Sequence, residues 1–309
     1  MNQSLLFKLG TRGSPLALWQ AERVQALLRE QRPDSVVEIV IIHTTGDKIL
    51  DKPLVQIGDK GLFTKEIEKA LQDREIDFAV HSFKDLPTQL PEGLEIMAIP
   101  ERDSPFDALV SESGTRLRDL PPDPTIATGS LRRRAQILAI RPDASVVDIR
   151  GNVNTRIRKF RESQWHALIM AEAGLRRMGW TDQIAGVLAI EEMLPAPAQG
   201  ALAVEARSDD SRTRELLQSI HNPDTALGVQ AERAFLATLE GGCQVPIAAH
   251  AILQGDEIHL HGLLANLDGS RCIRDSIAGG NHDPSSLGRI LAEQILEQGG
   301  HEIIESLTR

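Results

Sequence analysis

The chain reads as α/β over its first two thirds and as α+β toward its C-terminal end. Three observations predict this. Apolar runs of strand length alternate with amphipathic helical stretches from about residue 5 to residue 207. Several of those strands pass into helices through short turns that carry Gly, Ser and Arg. From about Thr225 the pattern changes to strands that follow one another with short turns between helices, which suits a small antiparallel sheet. A length of 309 residues allows two or three domains. Proline-rich punctuation at 100–105, 121–124 and 194–200 marks the places where they would divide.

Composition narrows the function classes. Hydrophobic residues make up 41% and charged residues 25%, ordinary for a globular chain. No apolar run approaches the ~20 residues that span a bilayer, and the N-terminus lacks the basic-then-apolar pattern of a signal peptide. Two cysteines, Cys243 and Cys272, make no disulfide framework, so a reducing cytoplasm is the expected setting. The net charge of −10 argues against nucleic acid as a partner. Any anion must therefore be bound locally, against the average field, which makes clustered arginines informative.

Taken in order, residues 5–10 form a strand, and Ser14-Pro15 starts a helix that runs to about Glu30, with Ser14 as N-cap and Pro15 at the first helical position. Leu16, Trp19, Val24, Leu27 and Leu28 are expected on its inner face. Arg12 sits in the strand-to-helix turn, where free N–H groups and a helix dipole favour anions. Residues 36–44 are an apolar strand, and 45–60 read as a long functional loop or lid. A helix capped by Thr64 buries Ile67, Ala70 and Leu71, and the strand 76–81 ends in His81-Ser82-Phe83-Lys84-Asp85. An ammonium and a carboxylate thus occupy the carboxyl end of a buried strand, the edge where open α/β sheets bind ligands.

Strands are next expected at 125–127, 145–149 and 167–171, each followed by a helix. Their ends deliver Arg132/Arg133, Arg150/Arg156 and Arg176/Arg177 to one edge of one sheet, together with helix N-termini. Guanidinium groups pair bidentately with carboxylate or phosphate, so this edge reads as an anion site. A helix at 226–239 then runs into Glu240-Gly241-Gly242-Cys243, where two glycines end it and leave a thiol on a tight loop. Strands at 247–253, 257–264 and 271–277 and a helix from about Ser285 to Gln298 complete the chain. His259 and His261 share a strand face near Cys272 but lack the four-ligand spacing of a zinc site, so no metal is expected.

With these motifs assembled, the chain resembles the hydroxymethylbilane synthase (porphobilinogen deaminase) family from end to end. The marks are Gly10-Thr11-Arg12-Gly13-Ser14-Pro15, Lys60-Gly61-Leu62-Phe63, His81-Ser82-Phe83-Lys84-Asp85-Leu86-Pro87, Gly129-Ser130-Leu131-Arg132-Arg133, Arg150-Gly151-Asn152-Val153-Asn154-Thr155-Arg156 and Glu240-Gly241-Gly242-Cys243-Gln244-Val245-Pro246. Phe83, where methionine is common, and Gly129, where serine is frequent, depart from the pattern without removing a charge.

The resemblance implies two α/β domains like those of periplasmic binding proteins, flanking a cleft, and a smaller α+β C-terminal domain with an antiparallel sheet. The expected boundaries are 1–99 with 200–219, 100–199, and 220–309. It implies a cytoplasmic monomer that joins four porphobilinogen molecules head to tail with loss of ammonia. The primer is a dipyrromethane cofactor held by a thioether to Cys243. By the same resemblance Asp85 is catalytic. Lys84, Ser82, Thr128, Ser130, Arg132, Arg133 and Arg156 hold the cofactor, and Arg12, Ser14, Gln20, Phe63, Arg150, Arg156, Arg177 and Gln199 bind substrate. Two rival readings are a non-catalytic two-lobed anion-binding protein, which leaves Cys243 unexplained, and a cysteine hydrolase using His250 or His81, which leaves the arginines idle.

Overall fold

A computed structural model describes residues 5–45, 64–239 and 245–308. In chain order the first elements are β1 (Leu5–Thr11), α1 (Pro15–Gln31), β2 (Ser35–Ile41), α2 (Lys65–Gln72), β3 (Phe78–Ser82) and β4 (Leu94–Ala98). Next come β5 (Asp107–Val110), β6 (Thr125–Ala127), α3 (Leu131–Ile140), β7 (Ser145–Val147), α4 (Val153–Arg161), β8 (Ala167–Ala171), α5 (Glu172–Arg177) and β9 (Gly186–Leu188). The remainder is β10 (Leu202–Arg207), α6 (Ser211–Gln218), α7 (Pro223–Thr238), β11 (Ile247–Gln254), β12 (Glu257–Ala265), β13 (Cys272–Gly280), α8 (Pro284–Ile295) and α9 (His301–Thr308).

Two compact units result. The first comprises the chain through Arg102 together with Ala201–Ala226, and the second comprises Asp103–Gly200 and Leu227–Arg309. The first unit holds a five-stranded sheet in the order β2-β1-β3-β10-β4. β1 runs parallel to β2 and β3, whereas β10 is antiparallel to both β3 and β4. Its core joins Phe7, Leu9, Phe78, Val80 and Val204 of the sheet to Val24 and Leu28 of α1. Complete burial of one such side chain contributes on the order of 1.5–3 kcal/mol. The inner face of α1 is Ala17, Gln20, Ala21, Val24 and Leu28. Leu16, Trp19 and Leu27 are only half-buried, because small residues at 17 and 21 let the helix lie close to the sheet. Ser14 caps α1 as the sequence predicts, its Oγ accepting from Ala17 N at 3.3 Å. Thr64 stands at the N-cap of α2 but makes no side-chain cap bond, since its backbone is already helical.

The second unit repeats the wiring. Its sheet order is β7-β6-β8-β5-β9. β6 is parallel to β7 and β8, and β5 is antiparallel to β8 and β9. A three-stranded antiparallel meander, β11-β12-β13, follows in the same unit. It packs under α7 and α8 through Phe235, Leu260, Leu264, Leu291 and Ile295. The meander also touches the α/β sheet's own helix, with Ala135 and Leu194 sharing a cluster with Ala248, Leu263 and Ala265. The expected fold class thus stands: α/β units and a smaller α+β portion with an antiparallel sheet. The sequence reading did not assign β4, β5, β9, α6 or α9.

Candidate anion-binding and catalytic site

In the first unit the site grows from the carboxyl ends of β1 and β3. At the end of β1, Thr11 is buried and its Oγ1 donates to Ala17 O at 3.1 Å, which ties the turn to the first turn of α1. Arg12 is half-buried in that turn. β3 ends in a single short turn, Phe83–Asp85. Phe83 is buried, and its N–H donates to Ala201 O at 3.1 Å. Gln20, buried on α1, donates from Nε2 to Ser82 Oγ at 2.7 Å. With both sides of the turn anchored, Lys84 is half-buried and Asp85 is exposed. Behind the turn lies a buried ionisable cluster that sequence reading missed. His81 Nε2 lies 3.0 Å from Glu205 Oε2, although the pair is not aligned as a hydrogen bond. Nearby Glu68 has its carboxyl pushed up, first by burial and further by the charge of Glu205. The signal for this cluster was Glu205 flanked by apolar residues on both sides in the strand Leu-Ala-Val-Glu-Ala-Arg.

In the second unit three parallel strands end at one edge, and each is followed by a helix, β8 without any intervening residue. After β6, Thr128 is buried and accepts at Oγ1 from Ser130 N at 3.3 Å. Ser130 Oγ accepts from Arg133 N at 3.4 Å and caps α3. Gly129 matters here, since a Cβ at that position would come within 2.7 Å of Ile149 O. After β7, Asn152 caps α4 by accepting from Thr155 N at 2.9 Å. Arg150 is half-buried with Nε 3.4 Å from Asp148 Oδ2, and Arg156 donates from Nε to Gly151 O at 2.8 Å. After β8, Arg176 is exposed and paired with Glu172, whereas Arg177 is turned inward. Arg177 donates from Nε to Asp103 Oδ2 at 2.8 Å and from Nη2 to Gly200 O at 2.7 Å.

The deepest group at this edge is Asp107, the first residue of β5, with 0% exposure. Arg132 Nη1 donates to its Oδ2 at 2.7 Å. Arg133 donates to its Oδ1 from Nε at 3.0 Å and from Nη2 at 2.7 Å. Burial alone would raise the Asp107 carboxyl, but the charges of Arg132 and Arg133 outweigh it and hold the group well below the usual range. Burial lowers the Arg132 and Arg177 guanidinium groups, opposed in each case by the neighbouring acid. The resemblance sorts these arginines by ligand, cofactor or substrate, whereas the structure sorts them by burial and by the acid each one meets. Arg132 and Arg133 rest on the buried Asp107, Arg177 is turned inward onto the exposed Asp103, and Arg12, Arg150 and Arg156 are half-buried, the first two in turns and the third on the first turn of α4. Gln199 is 1% exposed, with its Nε2 donating to Asp107 Oδ1 at 2.9 Å and to Pro105 O at 2.7 Å. A further cation missed by sequence reading is Arg233 on α7, which burial pushes down to about 10.

Cys243 and Phe63, and the expected lid beyond Thr45, lie outside the described residues. Among the described residues, no three His, Cys, Asp or Glu side chains are placed to hold a metal ion. No helix among them is long and apolar enough to cross a membrane.

In the second unit capped helix N-termini and guanidinium groups gather at strand ends, and in the first unit the exposed Asp85 follows a strand end; these are features of an α/β protein of the anion-binding class. The comparisons with known proteins narrow this class. Residues 7–215 match the family model described as porphobilinogen deaminase, dipyromethane cofactor binding domain, and residues 226–297 match its C-terminal domain. The chain is 52% identical over 297 residues to the porphobilinogen deaminase of Geobacter sulfurreducens, covering 96% of this chain and 93% of that one. It is 47% identical over 304 residues to that of Syntrophobacter fumaroxidans, covering 98% of each. Among solved structures, a TRAP periplasmic solute binding protein from Desulfovibrio salexigens aligns with a TM-score of 0.44 at 10% identity over 71% of this chain and 73% of that one. The Bordetella pertussis BvgS VFT2 domain aligns at 0.41 with 14% identity over 70% and 85%.

The chain belongs to the porphobilinogen deaminase family. It is accordingly an enzyme, a transferase that polymerises porphobilinogen in tetrapyrrole biosynthesis with a dipyrromethane cofactor. The non-catalytic binding-protein reading is not favoured.

Proposed function

We propose that Asp85 is the catalytic carboxylate of this polymerisation and that the arginines hold the acid arms of substrate and cofactor. The observation that carries the reading is the placement of Asp85: exposed, at the end of a buried strand, on a turn fixed by buried Phe83 and by Gln20. Loss of ammonia from porphobilinogen leaves positive charge spread onto the pyrrole nitrogen. A carboxylate fixed beside that N–H stabilises the charge as it develops, the charge-reversed counterpart of an oxyanion hole. Asp85 also passes a proton to the departing amine and accepts one when the new ring has joined. Lys84 offers an ammonium to a carboxylate arm beside it.

The donor set fits the dipyrromethane cofactor. The buried Nε of Arg132 has no acceptor among the described residues, and the N-termini of α3 and α4 lie beside the arginines, where helix dipoles favour carboxylate arms. When bound, the cofactor would supply the free pyrrole carbon to which the first unit is joined, and each later unit would join the ring before it. Arg132, Arg133 and Arg156, with Lys84, Ser82, Thr128 and Ser130, would hold it, and Cys243 would carry it by a thioether. Arg12, Ser14, Arg150, Arg156 and Arg177 would take the substrate arms, with Phe63 stacked on a ring. Gln20 and Gln199, both buried with their amides engaged, enter this reading as supports for Ser82 and Asp107. A chain of net charge −10 needs such a local positive field, since each added ring brings two carboxylates. We further propose a cytoplasmic monomer with the three-domain division given above.

Intact mass under denaturing conditions tests the reading. The purified chain should exceed its sequence mass by a dipyrromethane, and Cys243→Ser should not. Porphobilinogen should then add rings one at a time, with ammonia released. A chain that stays at its sequence mass after porphobilinogen is supplied sinks the reading.

A further inference from the structure

Arg132 and Arg133 are adjacent like charges on the first turn of α3, and each is 5% exposed. Two desolvated guanidinium groups side by side would repel and splay. The single carboxylate of Asp107, itself fully buried, receives both. Arg133 is gripped through Nε and Nη2, and Arg132 through Nη1, which also donates to Leu194 O at 2.7 Å. Asp107 is in turn held by Gln199 Nε2. Gln199 is delivered by its neighbour Ala198, which adopts a left-handed φ of 60° while its N–H donates to the buried Glu232 Oε2 at 2.6 Å. Glu232 Oε1 also accepts from Ala251 N at 2.9 Å, so the chain of contacts reaches from α7 and β11 to the arginine pair.

We propose that Asp107 is a positioning residue of the polymerisation. It fixes the two guanidinium planes before any carboxylate arm arrives and leaves the trio one net positive charge. This rests on the reading that Arg132 and Arg133 bind those arms. Asp107 touches neither substrate nor cofactor and acts through the arginines. Asn at this position keeps the shape and one acceptor oxygen but turns an amide N–H toward one guanidinium, which frees that side chain to move. Misplacement of a binding group by a fraction of an ångström weakens orientation far more than it weakens the fold.

The test uses the full-length chain as wild type, Asp107→Asn and Asp143→Asn. Asp143 is paired with Arg141 at the far end of α3 and has no part in the site, so its variant controls for loss of an Asp–Arg pair in the same unit. Intact mass reads the fraction of chains carrying cofactor, and kinetics per loaded chain give KM and kcat for porphobilinogen. Asp107→Asn should lower the loaded fraction and raise KM about tenfold or more with a smaller change in kcat, while Asp143→Asn keeps wild-type loading and KM. Should Asp107→Asn fail to fold, Gln199→Ala decides. Loss of its bond to Asp107, together with the 3.5 Å contact from Arg133 Nη2 to its Oε1, should loosen the trio and raise KM roughly threefold in a folded protein, and an unchanged KM overturns the proposal. Wild-type loading and KM in folded Asp107→Asn also overturn it. A wild-type chain that neither gains covalent mass nor releases ammonia overturns the underlying reading, and this proposal with it.

Discussion

The two α/β sheets share a wiring and differ in what they place at the same spot. In each, one antiparallel strand enters beside the carboxyl end of a parallel neighbour. In the first sheet that entry is Leu202, opposite Ser82. In the second it is Asp107, opposite Ala171. The first sheet therefore has an apolar entry, and its acid, Asp85, sits out on the following turn in water. The second puts its acid inside and surrounds it with guanidinium groups. Topology fixes where chemistry can be placed. The residue type at one register position decides whether the edge displays a carboxylate or hides one to organise cations.

The sharpest break of the comparison exchanges stability against turnover. Asp107→Ala leaves two buried guanidinium groups without their acid and should destabilise the protein by about 3–5 kcal/mol, read as a lower denaturant midpoint. Asp85→Ala removes an exposed group, so stability should stay within about 0.5 kcal/mol. Its turnover should fall by about 10²–10³, with Asp85→Glu retaining a little. Near-normal ammonia release by the alanine variant would remove Asp85 from the chemistry.

A smaller effect separates the units by pH. Asp107 has a depressed carboxyl, so its contribution is complete above the ordinary carboxylate range and is lost as pH falls below it toward the folded-state value. Glu68 has the opposite sign. Burial raises it, so the folded state keeps its proton to higher pH than the unfolded chain, and stability declines as pH rises through the ordinary glutamate range toward the folded-state value. Trp19 lies in the first unit and Trp165 and Trp180 in the second, which allows single-tryptophan variants to report each unit. Acidification from neutrality should loosen the Trp165/Trp180 unit in an Asp107-dependent way, and Glu68→Gln should raise the Trp19 midpoint at neutral pH. Parallel pH curves that ignore both substitutions would contradict these assignments.

Local rules made much of this legible. Ser14-Pro15 announced α1, and the strands 125–127 and 167–171 stand where apolar runs placed them. What escaped was non-local or short. β5 and β9 are four and three residues long and leave little periodicity to register, whereas the equally short β6 was marked by the Thr128-Gly129-Ser130 turn and the helix that follow it. The acid that compensates Arg132 is 25 residues away, and the one that pairs with Arg177 is 74 away. No spacing rule links such partners, so the sequence showed where guanidinium groups gather but not which carboxylate each of them meets. His81 and Glu205 met for the same reason, through a strand that returns after a long excursion.

The smallest effects test whether two hydroxyls in corresponding turns do one job or two. Ser14 and Ser130 each cap a helix after a strand, accepting from backbone N–H at 3.3 and 3.4 Å. Loss of either cap should cost about 1 kcal/mol. Alanine variants cannot separate this from loss of a bond to a carboxylate arm, because both disappear together. Aspartate can, since it is an equally good cap and favours the helix N-terminus, yet it sets a negative charge where an anionic arm would approach. Ser14→Asp and Ser130→Asp should therefore keep the wild-type melting midpoint and raise KM for porphobilinogen. The larger rise is expected at whichever hydroxyl meets an arm directly. If both aspartate variants bind substrate as wild type does, the two serines are caps alone, and the anions are held by guanidinium groups without their help.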